Sequence, residues 1–549
     1  MKHRAHIAVP FVLLGAMLLP LSAAGLQSSA TDADPSLDPG FSPPETEQPK
    51  LEAPQLRGRF DVSTQAESAQ ASIQGIEFVG SEVPENVALA AEAFLGQPAD
   101  EDTLKALAAA MSEAYQDSPV ALFSLAIPAQ DLSRGVVRVH VAEGYVKQAI
   151  IRKDGEITES PLISGYVEPL IGQQPASSAD YERALSLVRR VPGLKVTPRL
   201  GTTKERGATN LILDIEPRKN RFYAGFDSRE SRLIDTGRIA AGGTVYGLLR
   251  EGDKIAGQIS VATDGQQARS AQVTYLTPVG LRGTMLDLAA VYQETRPDTL
   301  PIEGDATRLA ASLTHPILLD FKHEVSASLR IDHTMSSNAA FGSIIANDEV
   351  TAARLGLSAR KSAKTRLLSG SVLYSRGVDI EGAETSTPGA SLDFGKLGGT
   401  ARLVQKFGER TFLRASMTGQ WSNDTLPANE RFLIGGANFG RGFRNGLVAF
   451  DTGYAGLIEP AYRPLSEGDF KLSEIYAFAD YGGGSLNATG TELRDITLGS
   501  AGLGVRLKWK TFASLGLEMA QPFEQPVPGL EDDPIYSLTW SFKYQPGEE

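Results

Sequence analysis

The sequence predicts an all-β transmembrane barrel of about 16 antiparallel strands preceded by two small α/β domains, and three observations carry that prediction. From about Asn220 to Tyr544 the chain consists of segments that alternate apolar with small or polar side chains, and sixteen candidate strands fit into that stretch. Before it, an order of strand, helix, helix, strand, strand occurs twice in tandem, which is an internal structural repeat. The N-terminus carries an export signal, yet no later segment has the roughly 18 consecutive apolar residues of a membrane helix. An exported chain of this kind can cross a membrane only as a closed barrel.

The elements follow in order. Lys2, His3 and Arg4 precede an apolar run from Ile7 to Leu21, and Ser22-Ala23-Ala24 supplies the small residues of a cleavage site after Ala24. Residues 1–24 are therefore read as a signal peptide. Residues 25–72 form a linker in which Pro35, Pro39, Pro43, Pro44, Pro49 and Pro54 alternate with acidic and small polar residues. That composition leaves room for a helix only near its end, around Phe60 to Ala71.

The first α/β unit, 73–145, opens with a strand over Ile73 to Val79. Val87 to Leu95 and Thr103 to Tyr115 have helical spacing, with Asp100 as N-cap before Leu104. Strands over Ala121 to Ile127 and Val136 to Val141 close it. The second unit, 146–217, repeats the order with Val146 to Arg152, Leu162 to Ile171, Ala179 to Arg190, Lys195 to Leu200 and Asn210 to Ile215.

In the barrel region, 218–549, four segments alternate most cleanly. Tyr536, Leu538, Trp540, Phe542 and Tyr544 share one face, against Ser537, Thr539, Ser541 and Lys543. Leu503, Val505, Leu507 and Trp509 oppose Gly502, Gly504, Arg506 and Lys508; Leu413 to Trp421 and Leu368 to Ser375 repeat the pattern. A soluble sandwich would put charge on its polar face. Here that face is rich in Ser, Thr and Gly, as suits a wet lumen. Tight turns are expected at Ser362 to Lys364, Gly408-Glu409 and Thr511, and long loops around Asn338, Glu381, Asn438 and Asn487.

Composition narrows the function. The 549 residues carry 53 Lys+Arg against 66 Asp+Glu, a net charge of −13, which argues against a nucleic-acid partner. There is no cysteine and there are 6 histidines, so thiol chemistry is excluded and a multi-His metal site is improbable. Neither a GxSxG elbow, an HExxH helix nor a GxxxxGK[ST] loop occurs. The reading is that of a non-enzyme without cofactor or metal.

Several strings are more specific. Ile127-Pro128-Ala129-Gln130-Asp131-Leu132, then Gly135, then Val139 to Tyr145 with Glu143-Gly144, resembles the first polypeptide-transport-associated (POTRA) domain of two-partner secretion transporters. Tyr181-Glu182-Arg183-Ala184-Leu185 followed by Val191-Pro192-Gly193 resembles the second. Phe432 to Gly436 and Gly440-Arg441-Gly442-Phe443 resemble that family's long sixth loop, whose usual core is Arg-Gly-Tyr; Phe478 to Gly482 and Ser500 to Gly504 match further strings. The resemblance spans nearly everything from Ile73 onward, and the family is that of the haemolysin/adhesin secretion–activation (type Vb) transporters.

The resemblance implies that the Arg441 loop, between strands eleven and twelve, folds into the barrel and pairs with Asp480 on strand thirteen, with Phe478 beside it as an aromatic seat. A guanidinium in a lumen needs a carboxylate, because an unpaired charge there is costly. Without the family, Arg441 reads as a solvated loop charge and Asp480 as an ordinary lumen residue. Gln130-Asp131 and Glu182-Arg183 likewise admit two readings, partner recognition or turn and helix-face structure. The chain departs from the family in its Pro-rich stretch, where a plug helix is usual. It also has Asp117-Ser118-Pro119 in place of a Gly-aromatic pair, and Gln545 to Glu549 follow the last aromatic residue.

The implied function is an outer-membrane pore whose periplasmic POTRA domains recognise a large secreted exoprotein through its N-terminal secretion domain and pass it unfolded to the cell surface. Exposed sheet edges would do this by β-augmentation. Outer-membrane lipid and the barrel-assembly machinery that inserts the protein are the other implied partners. A barrel-assembly insertase and a plain porin are the rival readings.

Overall fold

The computed structural model describes residues 59–62, 71–205, 207–229, 234, 236–298, 300–341, 343–487, 496–525 and 533–546. The expected signal peptide, cleavage site and most of the linker lie outside the described residues. No described helix is long and apolar enough to cross a membrane.

The first α/β unit comprises β1 (Arg59–Val62), β2 (Gly75–Gly80), α1 (Glu85–Glu92), α2 (Glu101–Gln116), β3 (Phe123–Ile127) and β4 (Val136–Glu143), with sheet order β1-β3-β4-β2. The Asp100 carboxylate accepts the Thr103 N–H at 2.8 Å and starts α2. Leu104, Leu107, Ala108, Met111 and Tyr115 then form one buried helical stripe against Val137, Val139 and Val141 of β4. The Asp117-Ser118-Pro119 turn closes through the Ser118 hydroxyl, which donates to the Tyr115 carbonyl at 2.8 Å and accepts from the Val120 N–H at 3.2 Å.

Of the stretch left open to a helix, Phe60 to Ala71, residues 60–62 instead belong to β1, paired parallel to β3 from Arg59↔Ser124 to Val62↔Ile127. Arg-Phe-Asp-Val alternates with period two, and that local pattern favours a strand added to an open edge. Residues 63–70 lie outside the described residues.

The second unit comprises β5 (Tyr145–Lys153), β6 (Glu156–Ile157), α3 (Pro161–Val167), α4 (Ser178–Arg189), β7 (Leu194–Thr202) and β8 (Ala208–Pro217), ordered β6-β5-β8-β7. Its core includes Tyr181, Leu185 and Val188 of α4, and it continues into Leu319 and Phe321 of a barrel turn.

Among the described residues, sixteen strands from Arg221–Asp227 to Ile535–Tyr544 close into an antiparallel barrel, the last strand pairing with the first. The alternating faces sort as lipid and lumen. Tyr536, Leu538, Trp540, Phe542 and Tyr544 are all exposed, while Ser537 and Ser541 are buried inside. Exposed aromatics fall into two belts, as in outer-membrane barrels. Phe222, Phe407, Tyr462, Trp509, Phe542 and Tyr544 ring the end that carries the α/β units, and Tyr292, Tyr374, Trp421, Tyr454, Tyr481 and Tyr536 the other. The register supports the levels: Tyr544 lies opposite Phe222, and Thr411 opposite both Phe407 and Tyr462.

The three tight turns lie between paired strands as expected. Asn338 corrects the loop assignment. It sits within the strand His323–Ala340, opposite Gly304 and Ala346, rather than in a long loop. The strands Ile302–Leu319, His323–Ala340 and Ser343–Ser362 have 18, 18 and 20 residues, so this hairpin continues beyond the membrane as sheet. A span needs only about 9–11 residues.

Candidate functional site

Between the eleventh strand, Thr411–Ser422, and the twelfth, Thr452–Tyr462, the chain does not stay outside. A short helix (Ala428–Glu430) and the hairpin Phe432–Ile434/Val448–Phe450 lead it into the lumen. Apolar packing drives the insertion: Ile434, Phe443, Leu447 and Phe450 bury one another against Leu498 of the wall. Gly435 and Gly436 hold φ of +118° and +109°, which lets the loop reverse where a side chain would strike Arg444, Leu447 or Asn445.

Arg441 stands at the inner tip. Its guanidinium donates to Glu459 at 2.9 Å, to Glu518 at 3.1 Å and to the Ala437 carbonyl at 3.0 Å, and lies 4.7 Å from the Phe478 ring centroid. Asp480 meets Arg441 differently from the expected side-chain pair. One of its oxygens accepts the Arg441 backbone N–H at 2.9 Å; the other accepts the Ser500 N–H at 3.2 Å and the Ser500 hydroxyl at 2.6 Å. The reason is reach. The Arg441 amide lies against the thirteenth strand, Glu474–Ser485, so the long side chain extends past Asp480 to the carboxylates beyond. Gly442 donates to the Ser500 hydroxyl at 2.9 Å, and a Cβ there would lie 2.7 Å from the Ser500 Cβ. Phe443 is buried at 2% exposure, and Phe478 joins Tyr476 on the inner wall.

Glu459 is the hub that sequence reasoning missed. It accepts from Arg414 at 3.0 Å, from Arg506 at 2.7 and 2.9 Å, and from Arg441. Glu474 joins Arg414 and Arg506, each at 2.9 Å, and Tyr476 donates to Glu518 at 2.8 Å. The signal was present: Glu459 lies opposite Arg414 in register, the one charge on a strand face otherwise made of Gly453, Ala455, Leu457 and Ala461.

The motif residues of the first α/β unit serve internal contacts. Gln130 bonds both backbone groups of Arg138, accepting at 2.7 Å and donating at 2.9 Å, and Asp131 caps the Ser133 N–H at 2.9 Å. Gly135 holds φ +70°, with the Ser72 carbonyl 2.5 Å from where a Cβ would be. Glu143 accepts the Tyr115 hydroxyl at 3.2 Å, and burial pushes its carboxyl up from the ordinary carboxylate range. Gly144 donates to the Leu122 carbonyl at 2.7 Å.

Glu182, Arg183 and Gly193 lie where the second unit meets the barrel's periplasmic turns. Arg183 donates to the carbonyls of Arg282 at 3.2 Å and Pro316 at 3.0 Å, and Glu182 accepts the Phe321 N–H at 3.3 Å. Arg190 pairs with Glu324, and Ser160 donates to Glu251. After Pro192, Gly193 holds φ +76° against Tyr246, and its carbonyl accepts the Arg218 N–H at 2.7 Å.

A barrel with a clamped lumen loop and two α/β units at its periplasmic mouth has the architecture of an outer-membrane protein transporter. Residues 207–507 match the model of the haemolysin secretion/activation proteins ShlB, FhaC and HecB, and residues 71–144 match the ShlB-type POTRA domain. The chain belongs to the haemolysin secretion/activation family. It is an outer-membrane transporter of two-partner secretion that translocates an exoprotein, with POTRA domains in the periplasm. The family is one of transporters rather than enzymes.

A heme/hemopexin transporter protein, HuxB of Haemophilus influenzae strain 86-028NP, is 20% identical over 462 residues, covering 79% of this chain and 80% of the relative. CdiB from Escherichia coli superposes with a TM-score of 0.68 at 18% identity, over 87% of this chain and 92% of that one. BamA from Haemophilus ducreyi, lacking POTRA domains 1–3, gives 0.54 at 13% identity, over 86% and 100%. These structural likenesses concern the fold.

Proposed function

We propose that the chain captures the N-terminal secretion domain of one large exoprotein at its POTRA domains and passes it unfolded through the lumen, with the Arg441 loop as the gate. The observation that carries this reading is the clamped loop: Arg441 and Gly442 tie a folded segment to the wall through Asp480, Glu459, Glu518 and Ser500, and Phe443 is buried beside Leu498. A permanent plug needs no such charged anchor in a wet lumen. The domain limits proposed are 73–145 for the first POTRA domain, extended in space by β1, then 146–217 and 218–549.

The second POTRA domain, held by Glu182, Arg183 and Gly193, acts as the fixed base, which leaves the first as the capturing arm. Gln130, Asp131, Gly135, Glu143 and Gly144 shape that arm's sheet, and its edges offer the unpaired backbone a secreted strand would join. Outer-membrane lipid surrounds the aromatic belts, and the barrel-assembly machinery inserts the chain. No enzymatic step or cofactor takes part.

Supernatant proteomes of cells with the wild-type protein, with none, and with Arg441→Ala test the reading. Loss of one large protein without the transporter, and again in Arg441→Ala at normal barrel abundance, supports it. An unchanged supernatant with falling levels of other barrels favours the insertase.

A further inference from the structure

The gate loop touches the lumen wall in a second place that the Arg441 motif does not include. Glu430, at the end of the short helix Ala428–Glu430, is 5% exposed. Its carboxylate takes both ends of the Arg354 guanidinium, at 2.7 and 3.1 Å, and the Lys396 ammonium at 2.8 Å. Its backbone carbonyl accepts from Lys396 at 2.6 Å and from Gln420 at 3.0 Å. Arg354 stands on the eighth strand, Ser343–Ser362, and Lys396 on the tenth, Gly395–Phe407. Arg354 is fixed in turn by Asp332, a carboxylate that Arg308 and Arg330 also share, and by the Ser375 hydroxyl at 2.9 Å.

We infer that Glu430 is a second, independent latch of the gate, and that releasing it from Arg354 and Lys396 is a separate requirement for opening. This rests on the reading of the loop as the gate. The two anchor points share no partner. Arg441 holds to strands twelve, thirteen and fifteen, through Glu459, Asp480 and Glu518; Glu430 holds to strands eight, ten and eleven, through Arg354, Lys396 and Gln420. The loop is thus strapped across the lumen between two stretches of wall, and freeing one end leaves the other in place. A bidentate guanidinium–carboxylate pair with a second cation is a directional contact, broken as a unit when the carboxylate leaves. Water in an opened lumen would resolvate both partners, which makes the contact reversible. Glu430 is a positioning residue in this scheme.

Single-channel recordings of the purified full-length protein in planar bilayers read the gate directly, with heat-dependent electrophoretic mobility reporting barrel folding. Glu430→Gln keeps the shape and removes the charge; Lys396→Met removes a partner. Both raise open-state occupancy, Glu430→Asp raises it less, and Glu430→Gln with Arg441→Ala exceeds either alone. If Arg441→Ala opens the channel while folded Glu430→Gln and Lys396→Met stay at the wild-type level, the second latch is refuted and the gate stands. If none of them opens it, the gate reading falls and the latch with it.

A lock decides the matter even where these variants fold poorly. The chain has no cysteine, and the Ala428 N–H donates to the Thr387 hydroxyl at 3.1 Å. Thr387 belongs to a loop bonded to the eighth strand through Ser386 and Asp348 at 2.7 Å. A Thr387→Cys, Ala428→Cys pair pins this end of the gate with every latch charge in place. Oxidised, it stops opening and secretion, and reduction restores both; wild-type secretion from the oxidised pair overturns the proposal.

Discussion

Asp480→Asn separates two ways of holding the gate. If Asp480 were the charge partner of the Arg441 guanidinium, as the family resemblance implied, the two side chains would be strongly coupled. The structure gives Asp480 a different role, because it accepts the Arg441 backbone N–H at 2.9 Å while the guanidinium goes to Glu459 and Glu518. Asparagine can keep the Ser500 contacts on one oxygen, but its NH2 group then faces the Arg441 N–H, donor against donor. A hydrogen bond to a charged group contributes about 1.5–3 kcal/mol. At about 1.4 kcal/mol per factor of ten, the open-to-closed ratio rises roughly ten- to a hundredfold. Single-channel occupancy of Asp480→Asn, Arg441→Ala, Glu518→Gln and the double variants completes two mutant cycles. Arg441→Ala with Glu518→Gln should couple by about 0.5–3 kcal/mol, as side chains in contact do, and Arg441→Ala with Asp480→Asn by less. A larger coupling to Asp480 than to Glu518 would refute the backbone clasp.

Three further outcomes follow from the periplasmic half. Arg183→Ala leaves the Arg282 and Pro316 carbonyls without that donor, so hydrogen exchange in both turns rises and secretion falls at unchanged barrel abundance. Burial pushes the Glu143 carboxyl up, and the Tyr115 hydroxyl pulls it down by less. A carboxyl that titrates higher in the folded state stabilises it most below the unfolded pKa, and loses that contribution as pH rises through the raised value. Protection of β3 and β4, corrected for intrinsic exchange, should therefore fall towards neutral pH relative to Glu143→Gln; parallel profiles would remove Glu143 from the account. Deleting residues 59–62 bares the β3 edge, and the full-length variant should bind the partner's secretion domain more tightly by surface plasmon resonance, unless β1 is itself the docking strand, in which case binding weakens.

Much of this was legible because alternation and helical spacing are local. The strand count, the place of the Arg441 loop between strands eleven and twelve, the Asp100 cap and the lumen face of Arg506 all follow from residues read a few at a time. The limits fell where contacts are long-range. Glu459 and Glu518 look like ordinary inward-facing strand residues, and Glu430 like a loop charge, until the barrel closes and the loop packs into it. The strand Arg59–Val62 was hidden by its Pro-rich surroundings, although its own four residues alternate. Asn338 suggested a loop by residue type, yet cross-strand pairing on both sides keeps it in the sheet.

The chemistry of the loop's wall contacts suits the gate role proposed for it. An apolar plug of equal area would bind the wall more tightly than these ion pairs, since well-packed apolar groups often match or exceed buried pairs in net stability. It would also lack a fixed seat, because apolar contact is non-directional. Here the apolar cluster of Ile434, Phe443, Leu447 and Phe450 packs within the loop and also against Ala455, Leu457, Ile496 and Leu498 of the wall. If the loop moves as proposed, Ile434, Phe443, Leu447 and Phe450 keep one another and give up their wall contacts. The wall contacts at both ends include ion pairs: Arg441 on Glu459 and Glu518, Glu430 on Arg354 and Lys396. Such contacts fix position sharply, and a wet lumen returns part of their cost on release through resolvation. Under the proposed gate reading, two ionic clasps and an apolar cluster shared between loop and wall are what must be released for the loop to move.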